Sequence, residues 1–264
     1  MKTLGRIISA AITVVLIAVP LLAEDVVVVF KTDGSGGAET STQYYSSERM
    51  RTSEGQKDTI FEYASGTITN IDHKKREYSQ ITLAEVEEAM EAMNAQMEQA
   101  RAQMEAMPAA MRERMAKMMG GMGMGGEVTV TKGGTRQVAG YTTQEYQVTM
   151  GEAMTMTLWN TTEVKLPVAA ADLRKLASFT GPMAAMANNP MFKGFGQLAE
   201  KMKEIEGLTL AEQTSMSVMG RKSQTSREAT EVRTGPIPAS DFDVATLASG
   251  YKKVKSPLAE LGKR

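Results

Sequence analysis

The sequence predicts an α+β fold in which helices cover one antiparallel sheet. Between residues 26 and 81, short apolar segments recur at hairpin-length intervals, which is typical of antiparallel strands. Between residues 83 and 119 the apolar positions instead recur at steps of three and four, the spacing of one helix face. Further strand-like segments follow from residue 127 onward. A chain of 264 residues is long enough to form one large domain with its own core.

The first 23 residues read as an export signal. Lys2 and Arg6 precede an almost wholly apolar run over residues 7–22, and the small residue Ala23 ends it. This run is shorter than the roughly 20 residues of a membrane-spanning helix, so we favour a cleaved signal peptide over an uncleaved anchor. The prediction is a periplasmic or secreted protein with no transmembrane segment after cleavage.

The segment after the signal predicts an antiparallel meander of short strands. Apolar or β-branched residues alternate with polar turns that are rich in Gly, Ser, Asp and Lys. The predicted strands are residues 26–30, 43–45, 49–51, 59–63, 67–71 and 77–81.

A methionine-rich helical insert over residues 83–124 interrupts the strands. Thr82 and Glu85 have the spacing of a capping box, which predicts a helix beginning at Leu83. Pro108 is expected to divide the insert into two helices, and the glycine-rich stretch from Gly120 is expected to end it.

The rest of the chain predicts more strands and two short helices. Gly133-Gly134 and residues 139–141 are expected to form turns. The predicted strands are residues 127–131, 135–138, 144–150, 154–159, 208–219, 221–233 and 251–254, and the predicted helices are 169–178 and 196–206.

Composition excludes most catalytic sites. Cysteine is absent, and His73 is the single histidine. His73 could act as a base beside Asp72, but adjacent strand residues point to opposite faces, so we favour a solvated turn histidine. No nucleophile elbow, zinc-binding helix or phosphate-binding loop is present. The sequence therefore predicts a protein without catalytic residues, without a cofactor and without enzymatic activity.

Charge argues against nucleic acid as a partner. The formal net charge is −1, and because residues 1–23 carry Lys2 and Arg6 without any acidic residue, it becomes −3 after cleavage. No basic face is evident along the sequence.

The methionine stripe has three interpretations. It can be an ordinary core face, since methionine fills irregular gaps. It can line an apolar cavity, in which case the predicted ligand-binding residues are Met90, Met93, Met97, Met104, Met107 and Met111. It can bind Cu(I) or Ag(I) through soft thioethers, for which the candidates are Met90, Met93, Met104, Met107, Met115 and Met118.

Several turn-and-strand segments together resemble an exported bacterial family classed as a domain of unknown function. The matching stretches include residues 44–51, 71–78, 138–146, 158–162, 234–242 and 250–254. That family is similar to the periplasmic lipoprotein carriers of the Lol type. The resemblance implies one domain over residues 24–255, followed by a C-terminal tail over 256–264. It also implies a curved antiparallel sheet, a half-open β-barrel, with helices on its concave side and a cavity for acyl chains between them.

The predicted function is therefore non-enzymatic binding of an apolar ligand, such as an acyl chain or a lipidated partner, in the cell envelope. Tyr44, Tyr78, Tyr146 and Trp159 are candidates for the rim or wall of the cavity, with ordinary strand packing as the alternative. Of these, Trp159 joins the methionines in the predicted ligand site. The alternatives are a Cu(I)/Ag(I)-binding protein and a purely structural envelope protein. The sequence does not predict an oligomeric state.

Overall fold

A computed structural model describes residues 23–34, 37–105, 127–151, 153–169, 171–172, 193–218 and 221–256. Twelve strands and three α-helices are assigned within these ranges. The strands are β1 Val26–Gly34, β2 Gly37–Tyr45, β3 Arg49–Glu54, β4 Lys57–Glu62, β5 Thr67–Asp72, β6 Glu77–Thr82, β7 Val128–Val138, β8 Tyr141–Met150, β9 Met154–Thr161, β10 Leu208–Val218, β11 Arg221–Thr234 and β12 Lys252–Val254. The helices are α1 Leu83–Glu105, α2 Lys193–Met202 and α3 Val244–Leu247, and a 3₁₀ turn spans Ala239–Asp241.

All twelve strands form one sheet in the order β12-β6-β5-β4-β3-β2-β1-β11-β10-β9-β8-β7. Every pairing is antiparallel except that of β12 with β6, which is parallel. The predicted meander from β1 to β6 is confirmed. The strand β1 lies at the centre because it pairs with β2 on one side and with β11 on the other.

The central core forms around β1, whose side chains Val26, Val28 and Phe30 are buried. Leu210 of β10 and Ala229 of β11 pack against them. The run of β-branched residues at the start of β1 suits a strand with neighbours on both sides, because such side chains pack well on a pleated surface.

The glycines within β7 and in the turn after it occupy two different settings. Ala139 and Gly140 both adopt positive φ, of 49° and 86°, which is the conformation of a tight turn between adjacent strands. The predicted turn at Gly133-Gly134 is wrong, because β7 continues through these residues with a bulge. A side chain at Gly133 would meet the carboxylate of Glu145 on β8, which would have to move aside.

Helix α1 begins as the capping box predicts. The backbone N–H of Thr82 donates to Glu85 Oε2 at 2.8 Å, and the backbone N–H of Glu85 donates to Thr82 Oγ1 at 3.3 Å. Val86 and Ala89 are buried where this helix leaves β6. The predicted fold is α+β, with helices covering the sheet. In the described residues the sheet forms more of the structure, and the helices less, than that prediction implies. Among the described residues, the helices pack on the sheet only locally.

The C-terminal segment packs on the first half of the sheet. Val244 and Leu247 of α3 lie with Ala248 and Tyr251 against Ile60 and Ile71. Helix α3 is capped by Asp243, whose carboxylate accepts from the Ala245 N–H at 3.1 Å and from the Thr246 hydroxyl at 2.6 Å. The Thr246 hydroxyl and then the Ala245 N–H lower the pKa of Asp243.

Candidate functional site

The second half of the sheet is strongly curled. In the sheet order β8, β9 and β10 separate β7 from β11, a distance of about 19 Å if the sheet were flat. Nevertheless, Arg136 Nη2 of β7 lies 2.9 Å from Glu228 Oε2 of β11. A single ion pair can span these strands only because the sheet bends toward itself.

A cavity of about 500 Å³ lies at this curl, and we call it the curl cavity. The charged residues of its wall form three ion pairs. These are Lys31–Asp33 at 3.8 Å, Arg136–Glu228 at 2.9 Å and Arg227–Glu212 at 3.5 Å. The apolar part of the wall consists of Trp159, Ala211 and Ala229. The cavity therefore offers one aromatic surface surrounded by balanced charges.

Arg136 and Trp159 form the most specific feature of the curl cavity. The guanidinium carbon of Arg136 lies 4.1 Å from the centroid of the indole, a close cation–π contact. Arg136 Nε is buried and has no hydrogen-bond partner among the described residues. An unpaired buried donor costs about 1–3 kcal/mol.

The position of Trp159 follows from strand alternation. Its neighbour Leu158 packs in a separate cluster with its cross-strand partner Tyr146 and with Leu198 of α2. Because successive strand side chains point to opposite faces, Trp159 lies on the side away from that cluster. Of the four aromatic residues singled out in the sequence, Trp159 lines the cavity and Tyr146 is buried under α2.

Arg227 extends the charged wall toward the central core. Its guanidinium carbon lies 4.5 Å from the ring centroid of Phe30.

The Tyr45 hydroxyl donates to Gln43 Oε1 at 2.7 Å. Burial raises the pKa of Tyr45 to about 12, and the positive charge of Arg227 opposes this shift only in part. Burial likewise raises the pKa of Tyr63. Both phenols are therefore neutral at physiological pH and act as polar packing groups.

A second group of polar residues, which we call the Asp58 cluster, lies in the first half of the sheet. The side chain of Asp58 is only 1% exposed. Its Oδ2 accepts from Arg51 Nη2 at 2.9 Å and lies 2.9 Å from His73 Nε2. Arg51 Nη1 donates to the carbonyl of Asp241 at 2.8 Å, and His73 Nδ1 lies 3.1 Å from the Tyr251 hydroxyl. These contacts attach the C-terminal segment to the sheet.

The interpretation of His73 as a solvated turn histidine is wrong. His73 does lie in the turn between β5 and β6, but its side chain is only 29% exposed. Its carboxylate partner is Asp58 on β4, not the adjacent Asp72. The sequence carried no signal for this contact because the two residues meet only through the pairing of β4 with β5. Both ring nitrogens and Asp58 Oδ2 make contacts that join β4, the β5–β6 turn and the C-terminal segment, so the arrangement works as a structural clamp.

The methionine prediction falls largely outside the described part of the chain. Met90, Met93, Met97 and Met104 lie on α1, but the structure does not describe their side chains. Met107, Met111, Met115 and Met118 lie outside the described residues altogether. The ligand-binding and Cu(I) assignments of these residues therefore stay predictions, as does the signal peptide over residues 1–23.

Two further features are absent from the described residues. Within them, no three His, Cys, Asp or Glu side chains converge as a metal site would require. None of the described helices combines the length and the apolar character needed to cross a membrane.

Comparison with known proteins gives structural likenesses only. No protein-family model and no curated protein matches the chain. Among solved structures, PNGF-II has 10% identity and a TM-score of 0.41, with 92% of this chain and 33% of that chain covered. The MucA/MucB complex of Pseudomonas aeruginosa has 11% identity and a TM-score of 0.38, with 83% and 55% covered.

A third structure is a domain described as a putative outer membrane lipoprotein-sorting protein, from Vibrio parahaemolyticus. It has 7% identity and a TM-score of 0.29, with 85% of this chain and 92% of that chain covered. This chain thus spans about a third of the PNGF-II chain and about half of the chain in the MucA/MucB complex. A lipoprotein-sorting domain is thus among the solved structures that this chain resembles, and no family is assigned.

Proposed function

We propose that this protein is a non-enzymatic binding protein of the cell envelope and that the curl cavity holds an amphipathic ligand. The apolar part of the ligand, an acyl chain or the lipid of a lipidated partner, lies against Trp159. Its polar group lies among the surrounding charges. The observation that carries this proposal is a cavity of about 500 Å³ whose wall combines the indole with three ion pairs.

Size and chemistry both support this ligand class. Small-molecule sites occupy roughly 300–1,000 Å³ and combine an apolar surface with a few placed polar groups. The guanidinium of Arg136, whose side chain is 37% exposed, supplies a cation that a ligand carboxylate, phosphate or ester oxygen can contact. Because the three ion pairs balance one another, the wall does not select a strongly charged ligand by net charge alone.

The export signal and the methionine stripe complete the proposal. Cleavage after residue 23 places the protein in the periplasm or outside the cell. The stripe of Met90, Met93, Met97, Met104, Met107 and Met111 supplies a second apolar surface that adapts to chains of different shape. The proposal gives His73, the single histidine, a structural role in the Asp58 cluster.

The single tryptophan makes a direct test possible, because its fluorescence reports on one wall of the curl cavity. The purified protein is titrated with a fatty acid brominated along its chain, since bromine quenches indole emission at short range. We expect saturable quenching that unbrominated fatty acid competes away. Bromoacetate, which has the carboxylate without the chain, serves as the control and should quench only weakly and without saturation.

Two sets of variants separate the contribution of the polar group in the curl cavity from that of the methionine stripe. Arg136→Met removes the polar recognition group while keeping a side chain that can cover the indole, so affinity should fall without loss of the fold. Replacing Met90, Met93, Met97 and Met104 by alanine reduces the second surface. If quenching is not saturable and organic extracts of the protein contain no lipid, the proposal is wrong.

A further inference from the structure

Three segments that are distant in the sequence bring six basic side chains to one corner of the sheet. Lys57 begins β4, residues 74–76 form the turn between β5 and β6, and Lys252 and Lys253 lie on β12. We call this set the basic corner: Lys57, Lys74, Lys75, Arg76, Lys252 and Lys253, all of them exposed.

Strand pairing and backbone hydrogen bonds hold the basic corner together. Lys57 lies opposite Asp72 at the end of the β4–β5 pair. The backbone N–H of Lys252 donates to the carbonyl of Arg76 at 3.0 Å, which joins β12 to the turn. These contacts place the basic groups of three segments at neighbouring positions of the same sheet end.

The acidic groups beside the basic corner do not neutralise it. Glu54 and Glu77 lie opposite Lys57 and Lys252, and Asp72 lies 3.7 Å from Lys75. Six basic residues therefore face three acidic ones in a chain whose formal net charge is −1. No basic face is evident along the sequence, but pairing of β4, β5, β6 and β12 gathers basic residues from separate segments at this sheet end. Lys57 and Lys252 lie on one face of the sheet, and Lys253, which donates to Gln80 Oε1 at 2.7 Å, lies on the other.

Arg76 closes the turn between β5 and β6. Its φ is 56°, in the left-handed region that favours glycine and asparagine. The guanidinium carbon lies 5.1 Å from the ring centroid of Tyr251, so the exposed charge is held at a fixed place.

We propose that the basic corner docks this protein on an anionic membrane surface. Five of its six basic residues are lysines, whose compact charges suit a diffuse layer of lipid phosphates. Recognition of a nucleic acid would favour arginine, whose planar fork binds phosphate and guanine edges in a defined geometry. The inference goes beyond the proposed function because it does not depend on the contents of the curl cavity.

The test is sedimentation of the purified protein with vesicles of phosphatidylcholine that contain phosphatidylglycerol at increasing mole fraction. We expect binding that rises with the anionic fraction, weakens as salt is raised, and is weak with pure phosphatidylcholine. Each basic residue near such a surface contributes about a factor of five in affinity, so the triple variant Lys57→Gln/Lys74→Gln/Lys252→Gln should bind roughly a hundredfold more weakly.

The matched control is Lys201→Gln/Lys203→Gln/Lys222→Gln, which removes the same charge from exposed positions on or beside α2 and on β11. Its affinity should stay within about threefold of the parent, because these residues lie outside the basic corner. Arg76→Gly should lower affinity without lowering the free energy of unfolding, since glycine accepts the left-handed backbone.

Two results would overturn the proposal. One is vesicle binding by the basic-corner variant that equals that of the control. The other is binding to duplex DNA or heparin that is tighter than binding to anionic vesicles at the same ionic strength, which would assign the surface to a soluble polyanion.

Discussion

Removal of Asp58 should destabilise the protein far more than removal of a surface carboxylate. Asp58→Ala removes the acceptor of two charged or chargeable groups, Arg51 and His73, each at 2.9 Å. His73 is 29% exposed and can be partly resolvated, but Arg51 is only 11% exposed and would stay buried without its counter-charge. Breaking a buried pair from one side costs about 3–5 kcal/mol, and we expect a loss in this range.

The assay is urea denaturation followed by far-UV circular dichroism and by Trp159 fluorescence. Glu62→Gln is the matched control, because Glu62 pairs with Arg49 at 3.7 Å with both side chains about one-third exposed. Such a pair contributes less than about 1 kcal/mol. The double variant Arg51→Met/Asp58→Leu should recover much of the loss, since no buried charge is then left unpaired. If Asp58→Ala costs no more than Glu62→Gln, the Asp58 cluster is not the clamp described above.

Two further predictions concern titration and close packing. Unfolded tyrosine loses its proton near the ordinary pKa of 10.0, whereas burial raises the pKa of folded Tyr45 to about 12. The free energy of unfolding should therefore fall as pH rises from 10 to 12. In Tyr45→Phe it should fall less steeply. If the dependence on pH is equally steep in the variant and the parent, the burial of this hydroxyl is contradicted. Gly207→Ala should cost several kcal/mol by thermal or urea denaturation, because φ is +89° and the new methyl would collide with the Thr161 carbonyl. Gly140→Ala, with φ of +86° and open space around it, should cost about 1 kcal/mol, and equal losses would refute the role of the collision.

Local patterns predicted the elements of this fold well. The meander of β1–β6 follows from alternating segments and short polar turns, because each turn leaves too few residues for anything but an antiparallel return. The start of α1 follows from Thr82 and Glu85, which satisfy each other's backbone donors within four residues. One exception is Gly133-Gly134, where pairing of β7 with β8 continues through a bulge in place of the predicted turn.

The candidate sites depend on contacts that no short sequence window contains. Trp159 was identified from the sequence as a possible wall residue. Arg136, its cation–π partner, was missed because the two residues lie on different strands. The Asp58 cluster and the basic corner were missed for the same reason.

The sequence by itself determined which segments are strands, where the first helix begins, and which residues could carry chemistry, because these depend on spacing and residue type over a few positions. The tertiary structure decided how the sheet curls so that Arg136 reaches Glu228, which carboxylate His73 meets, and where the positive charge gathers. The physical reason is that strand order and register set distances between residues far apart in the chain, and electrostatic contacts depend on those distances.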